Sequence, residues 1–259
     1  MTLHHVRRGT GAPLLLVHGL GAGWRSWAPI IDGLAAEREV VAVDLPGFGQ
    51  SAPLDELSIA SLADAVADFI EEQGLDGVAT AGQSMGARIV LELARRGVGG
   101  DTVALDPGGF WTDRELALFG ATLRPSIALV RLLRGALPSL LATRAGRTAF
   151  LAQLSARPWA LDADTVLPDV LGLADAPATD AAMDALTKGP KQEGAPAGTA
   201  PGRVTIGWGR RDRVTLPRQA ERAARAYPDA ELHWFDKCGH FPQWDAPDEA
   251  VRLILDRTS

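Results

Sequence analysis

Ala79-Thr80-Ala81-Gly82-Gln83-Ser84-Met85-Gly86-Ala87-Arg88-Ile89-Val90-Leu91-Glu92-Leu93-Ala94 is the stretch that decides how the chain is read. A short apolar run ends at Gly82, a serine stands between two glycines, and an apolar run long enough for a helix follows at once. That order predicts a strand, a tight turn and a helix carrying Ile89, Leu91 and Leu93. Gly82 and Gly86 leave out the Cβ atoms that would block close approach of backbone at such a turn. The turn holds Ser84 in a strained conformation at a helix N-terminus, where free N–H groups and the dipole favour negative charge. A serine hydroxyl at its free pKa is a weak nucleophile. Ser84 therefore has chemical meaning only if a base, an orienting acid and oxyanion donors lie elsewhere in the chain. Standing by itself, the pentapeptide fits a glycine-rich turn equally well.

Such partners exist downstream. Val204-Thr205-Ile206-Gly207-Trp208 reads as a strand followed by Asp212 in a loop, and Glu231–Phe235 reads as a strand followed by His240. Asp212 alone reads as a surface turn residue and His240 alone as a loop histidine. Ser, Asp and His in that order, each just past a strand, would share the carboxyl edge of a parallel sheet, where sites form.

The rest of the chain supports that sheet. Leu14–Val17, Val40–Val43, Val78–Ala81 and Thr102–Leu105 are further short apolar runs, separated by longer amphipathic ones. This alternation is the pattern of parallel strands with crossover helices, an α/β class. Ile59, Leu62, Val66 and Phe69 recur at helical spacing, so 58–72 reads as a helix capped by Ser58, and the last helix is expected over 247–256, with Val251, Ile254 and Leu255 inward. After Asp106 the alternation stops. Helical patches at 114–123, 127–133 and 148–154 are punctuated by prolines, and 189–202 is a Gly/Pro-rich linker. The expected organisation is a core of 1–106 and 201–259, with a helical lid and linker over 107–200.

Composition narrows the class. The 259 residues, 46% hydrophobic and 22% charged, suit one large α/β domain. A net charge of -6 argues against a nucleic-acid surface, and no charge block suggests a polybasic anchor. Leu14–Val17 is too short to span a membrane, and no signal-peptide apolar core precedes it, so a cytoplasmic protein without membrane association is expected. The single cysteine, Cys238, excludes an internal disulfide and reads as a small buried packing residue. His4 and His5 lack metal-site spacing, and the glycines at 19, 21 and 23 complete neither the Rossmann nor the Walker pattern. No metal or cofactor is implied.

Two more motifs carry a resemblance. His18-Gly19-Leu20-Gly21 follows the first strong strand, and Asp44-Leu45-Pro46-Gly47-Phe48-Gly49-Gln50-Ser51 follows the second. Together with Gly82–Gly86, Asp212 and His240, they make the sequence resemble the α/β-hydrolase superfamily over nearly the whole chain outside the insertion. The resemblance implies a mostly parallel sheet flanked by helices, with the helical lid inserted after the sixth strand. It implies Ser84 as nucleophile, His240 as base then acid, Asp212 as its orienter, and the backbone N–H groups of Leu20 and Met85 as the oxyanion hole. Gln83 stands where His is more usual, and Ala87 where Gly is frequent. Asp106 also follows a strand, and some members take their acid there, but Asp212 has the better-matched surroundings. His18 is expected to be a structural hydrogen-bonder and Asp44 an organiser of loops.

Trp24, Phe110 and Trp111 are the candidate substrate contacts; core packing is the plainer role for Trp27 and for most aromatic residues of the insertion, Phe119, Phe150 and Trp159 among them. Relatives that displace at carbon carry Asp at the turn, so Ser84 favours acyl chemistry on a small, mostly apolar ester, lactone or thioester. A lyase, acyltransferase or perhydrolase could use the same three residues, and a ligand-sensing protein could retain them. The oligomeric state is not legible.

Overall fold

In the computed structural model, which describes residues 2–258, seven strands form one sheet in the order β1-β3-β2-β4-β5-β6-β7. They are β1 (His5–Arg8), β2 (Pro13–Val17), β3 (Glu39–Val43), β4 (Ala79–Gln83), β5 (Thr102–Leu105), β6 (Val204–Gly209) and β7 (Glu231–Phe235). All neighbours pair in parallel except β1, which lies antiparallel on β3. β1 (His5-Val6-Arg7-Arg8) escapes the sequence reading because it is a short edge strand, half exposed and mostly polar.

Side chains alternate across the sheet, as a strand's two-residue period requires. Leu15, Val17, Val41 and Val43 face one apolar layer, with α2 (Ile59–Glu72) and α3 (Met85–Arg95). Leu14, Leu16, Val40 and Ala42 face the other, which holds α1 (Ala28–Ala35) and α11 (Pro247–Arg257). Burial on both faces explains why these strands read as continuous apolar runs. Ser58 caps α2 as expected, its side chain accepting from Ser61 N–H at 2.9 Å. In α11, Ala250, Leu253 and Ile254 are buried, while Val251 and Leu255 are only partly so.

Between β5 and β6 run α4 (Asp113–Leu132), α5 (Leu137–Ala142), α6 (Arg144–Leu151), α7 (Ala163–Asp175) and α8 (Thr179–Lys188). A single strand, β1, precedes β2, so this segment leaves the sheet after the fifth strand and not the sixth. The two patches read at 114–123 and 127–133 are one helix. Pro125 lies inside it and removes one helical donor, usually enough to break a helix. Here Phe119, Ile127 and Val130 are buried on either side of it, and Thr112 with Glu115 forms a capping box at its start. Packing therefore overrides the local signal. The chain returns to β6 through 189–203, which has no helix or strand, and ends with α9 (Ala220–Ala226), the single turn α10 (Pro242–Asp245) and α11. No single helix among the described residues is long and apolar enough to cross a membrane.

The chain winds from β2 to β3 on one side and to β4 on the other. The crevice beyond their carboxyl ends is where an open parallel sheet places its ligands.

Candidate active site

The turn after β4 is built as its sequence suggests. Ser84 has φ 56° and ψ -112°, left-handed backbone that only Asp106, φ 47°, shares among the non-glycine residues described. Such a conformation costs about 1–3 kcal/mol and persists only where its surroundings enforce it. Here Ser84 N–H donates to Leu105 O at 2.9 Å, and Ser84 O accepts from Arg88 N–H at 3.1 Å. A Cβ on Gly82 would overlap the Gly86 carbonyl, and one on Gly86 would overlap the carbonyls of Val17 and His18. The two glycines thus let α3 turn back sharply over β4 and lie against β2.

The loops after β6 and β7 bring Asp212 and His240 to this turn. A Cβ on Gly209 would overlap the Gly239 carbonyl, so these loops also meet backbone to backbone. His240 Nε2 lies 2.8 Å from Ser84 Oγ, and its Nδ1 lies 2.8 Å from Asp212 Oδ2. An ionised carboxylate only accepts, so Nδ1 carries the proton and Nε2 presents its lone pair to the serine hydroxyl. Asp212 Oδ1 accepts from Val214 N–H at 2.7 Å and Thr215 N–H at 3.0 Å, and Thr215 Oγ1 donates to Oδ2 at 2.6 Å. Gln83 Nε2 donates to His240 O at 2.8 Å, which gives the unusual Gln83 a positioning role. His240 N–H donates to Leu154 O at 2.7 Å, tying the histidine loop to the helical segment.

Asp106 is fully buried beside this chain of bonds. Its Oδ1 accepts from Gly209 N–H at 2.8 Å, while Oδ2 has no hydrogen-bond partner among the described residues. Burial and the neighbouring Asp212 charge push its carboxyl well above the usual carboxylate range. The histidine is bonded to Asp212, and no hydrogen bond joins it to Asp106 among the described residues. Asp106, Asp212 and His240 also form a close group of metal-type donors. In it, His240 Nδ1 and both Asp212 oxygens are already committed to the bonds above.

Neither Leu20 nor Met85 donates its backbone N–H to a protein acceptor among the described residues. Met85 is the first residue of α3, where amides are free by helix geometry. The loop bearing Leu20 is fixed by His18, whose Nδ1–H donates to Gly19 O at 2.7 Å and whose Nε2 accepts from Leu45 N–H at 2.9 Å. Burial lowers the His18 pKa, in keeping with this neutral, structural use. Asp44 holds the two loops together by accepting from Trp24 N–H at 2.7 Å and Gln50 N–H at 3.0 Å. Cys238 is buried, and burial pushes its thiol up, away from the reactive thiolate.

Ser84 and His240 open into a pocket with mostly apolar walls. Leu20, Phe119, Leu123, Leu154, Val170, Leu173, Leu186, Val214, Phe241 and Trp244 line it, together with Gln83 and Asp169. None of the three expected substrate contacts is among them. Trp24 lines an adjoining outer cleft, with the Arg25 guanidinium 4.8 Å from its ring. Phe110 packs edge-on against Tyr227, and Trp111 stacks on Phe119 at 5.0 Å. Trp111 thus sits behind the wall that Phe119 forms. Phe241 and Trp244, stacked at 3.9 Å, were within reach of sequence reading, since they follow His240 directly. Asp169 gave no sequence signal.

The fold agrees with the known proteins that this chain resembles. The chain belongs to the alpha/beta hydrolase family, whose model matches residues 14–253. It is 27% identical to 2-hydroxy-6-oxo-6-phenylhexa-2,4-dienoate hydrolase of Burkholderia cepacia, over 98% of this chain and 90% of that protein. An uncharacterised protein of Mycobacterium tuberculosis is 28% identical over 98% of this chain and 78% of its own length. Among solved structures, a membrane phospholipase A is 25% identical with a TM-score of 0.74, covering 98% of this chain and 82% of that one. The family and the named hydrolase among these relatives make this chain a hydrolase homologue.

Proposed function

We propose that this protein is a serine hydrolase that cleaves a carboxylic ester, lactone or thioester of a small, mostly apolar substrate through an acyl-enzyme. The observation that carries the reading is the unbroken chain Ser84 Oγ, His240 Nε2, His240 Nδ1, Asp212 Oδ2, with 2.8 Å at both bonds. A hydroxyl nucleophile needs a base to take its proton, and a buried carboxylate to hold that base in one tautomer and stabilise it once charged. Ser84 attacks the carbonyl carbon while its proton passes to His240 Nε2. The carbonyl oxygen becomes an oxyanion held by the free amides of Leu20 and Met85. As the tetrahedral centre collapses, His240 returns the proton to the departing alkoxide or thiolate. Water then enters and its oxygen bonds to the acyl carbon while His240 takes its proton. Collapse of this second tetrahedral centre breaks the bond to Ser84 Oγ, which recovers the proton from His240 as the acid is released.

The apolar walls support the substrate class, because they favour aliphatic or aromatic groups and give few hydrogen bonds to a highly polar one. Phe119, Leu154 and Leu173 come from the helical segment over the sheet edge, which acts as a lid. The free thiol Cys238 and the neutral His18 take no part. A series of p-nitrophenyl esters of rising acyl length, mixed rapidly with the protein, tests this. A burst of p-nitrophenol equal in amount to the enzyme, absent in Ser84→Ala, is expected. Turnover of no ester by folded protein, or turnover undiminished in Ser84→Ala, would overturn it.

A further inference from the structure

Asp169 is a carboxyl in an otherwise apolar wall. It sits on α7, 6% exposed, and lines the same pocket as Ser84, His240 and Leu20. Ser26 Oγ, itself 1% exposed, donates to Asp169 Oδ2 at 2.8 Å and is its one hydrogen-bond partner among the described residues. No arginine, lysine or histidine among the described residues pairs with it. Besides Ser84 and His240, the other polar groups among the lining residues are the Gln83 amide, whose Nε2 donates to His240 O and whose Oε1 has no partner among the described residues, and the likewise unpartnered Trp244 indole N–H; Asp169 is the one carboxyl.

A buried carboxyl is expensive unless its oxygens are satisfied, and evolutionary or chemical economy would place Leu or Val at such a wall position. Asp169 lies in the middle of α7 and caps no helix, and among the described residues it pairs with no cation. The bond to Ser26 uses Oδ2, and Oδ1 has no hydrogen-bond partner among the described residues. Its position is also firmly set. A Cβ on Gly172 would overlap the Gly21 carbonyl, and one on Gly21 would overlap Leu173, so α7 lies directly on the loop that carries Leu20. A substrate entering against Leu20 and Ser84 therefore has beside it a fixed carboxyl, which lines both this pocket and the outer cleft.

We propose that Asp169 is a specificity-determining residue that accepts a hydrogen bond from a hydroxyl or ammonium group on the substrate. The substrate is then a small ester, apolar along most of its length, with one donor group apart from the scissile bond. This rests on the ester reading above and names the substrate class more closely. Binding such a donor gives the free carboxyl oxygen a hydrogen bond, whereas an all-alkyl substrate would cover that oxygen and leave it unpaired, the arrangement that gives polar sites their discrimination.

At pH 8, where Asp169 is ionised and both its oxygens accept, acid release from methyl hexanoate is compared with release from methyl 3-, 5- and 6-hydroxyhexanoate and methyl 6-aminohexanoate. The hydroxyl and amino arms separate the two kinds of donor. For at least one donor-bearing ester, kcat/KM should exceed that of methyl hexanoate by about tenfold or more, mainly through KM. That ratio should collapse in Asp169→Leu and survive in Ser26→Ala, which breaks the tether but keeps the acceptor. Using a ratio within each variant removes any general loss of folded protein. Hydrolysis of methyl hexanoate with no donor preference, or a preference untouched in Asp169→Leu, overturns the proposal and leaves the ester reading standing. In Ser84→Ala, 1,6-hexanediol should raise the melting temperature more than hexan-1-ol does, and should lose that advantage when Asp169→Leu is added. That result without any ester turnover would sink the ester reading and keep the acceptor role. Equal stabilisation by the two alcohols would count against Asp169.

Discussion

Replacing Asp169 with Asn should reverse part of the protein's pH dependence of stability. Burial raises the Asp169 carboxyl from its ordinary 3.8 to about 7, with only the Ser26 hydrogen bond opposing the shift. The folded protein therefore keeps a proton between those two values that the unfolded chain has released. The stability linked to that proton is fully present below 3.8 and is lost as pH rises to about 7. From pH 5 upward, about two pH units of that window remain, and each is worth ~1.4 kcal/mol, which gives about 2–3 kcal/mol. Asn can still accept from Ser26 and cannot ionise. Urea unfolding of the two proteins, followed by tryptophan fluorescence at pH 5 and pH 8, measures the difference directly. Asp169→Asn should gain about 2–3 kcal/mol on the parent between those pH values, while groups common to both proteins, Asp106 among them, cancel. A difference that stays constant with pH, or changes in the opposite sense, would show that Asp169 is not a buried acid of this kind.

Other substitutions probe the turn and its partners. Asp212→Asn should lower kcat by about a thousandfold to ten-thousandfold, since the imidazole loses its orienting charge, whereas Asp106→Asn replaces an acid already driven towards its neutral form and should keep kcat within about threefold. Equal losses in steady-state assays of the two variants would contradict the assignment of Asp212. Gly86→Ala drives a methyl into the carbonyls of Val17 and His18 and should cost more than about 3 kcal/mol. A scan of thermal unfolding should show a fall of about 6 °C or more, and an unchanged midpoint would refute the packing argument. Gln83→Leu removes the donor to the His240 carbonyl. It should lower kcat about tenfold with KM little altered, and a purely KM effect would assign Gln83 to binding instead.

The sequence made the turn and its partners legible because each is a local pattern. Gly82 and Gly86 mark a steric need of one turn, and Asp212 and His240 each follow a recognisable apolar strand. The pocket walls were not legible in the same way. Trp24, Phe110 and Trp111 stand near the motifs in sequence, yet the walls come from helices brought together over long separations. Phe110 is taken up by Tyr227, and Trp111 backs Phe119 without reaching the pocket. Pro125 marks a helix boundary by local rules, but burial on both sides carries α4 through it. Asp169 follows Pro168 as the one acid in an otherwise apolar run, 166–173. Its importance arises only when α7 settles on the Gly21 loop, a contact between residues about 150 positions apart in the chain.

Intact-mass measurement after incubation with a fluorophosphonate, on the parent, Ser84→Ala and His240→Ala, tests the central claim most directly. Ser84 as an activated nucleophile should give one stoichiometric adduct on the parent, none on Ser84→Ala and slow labelling of His240→Ala. An unlabelled, folded parent protein, or an adduct that persists in Ser84→Ala, would contradict it.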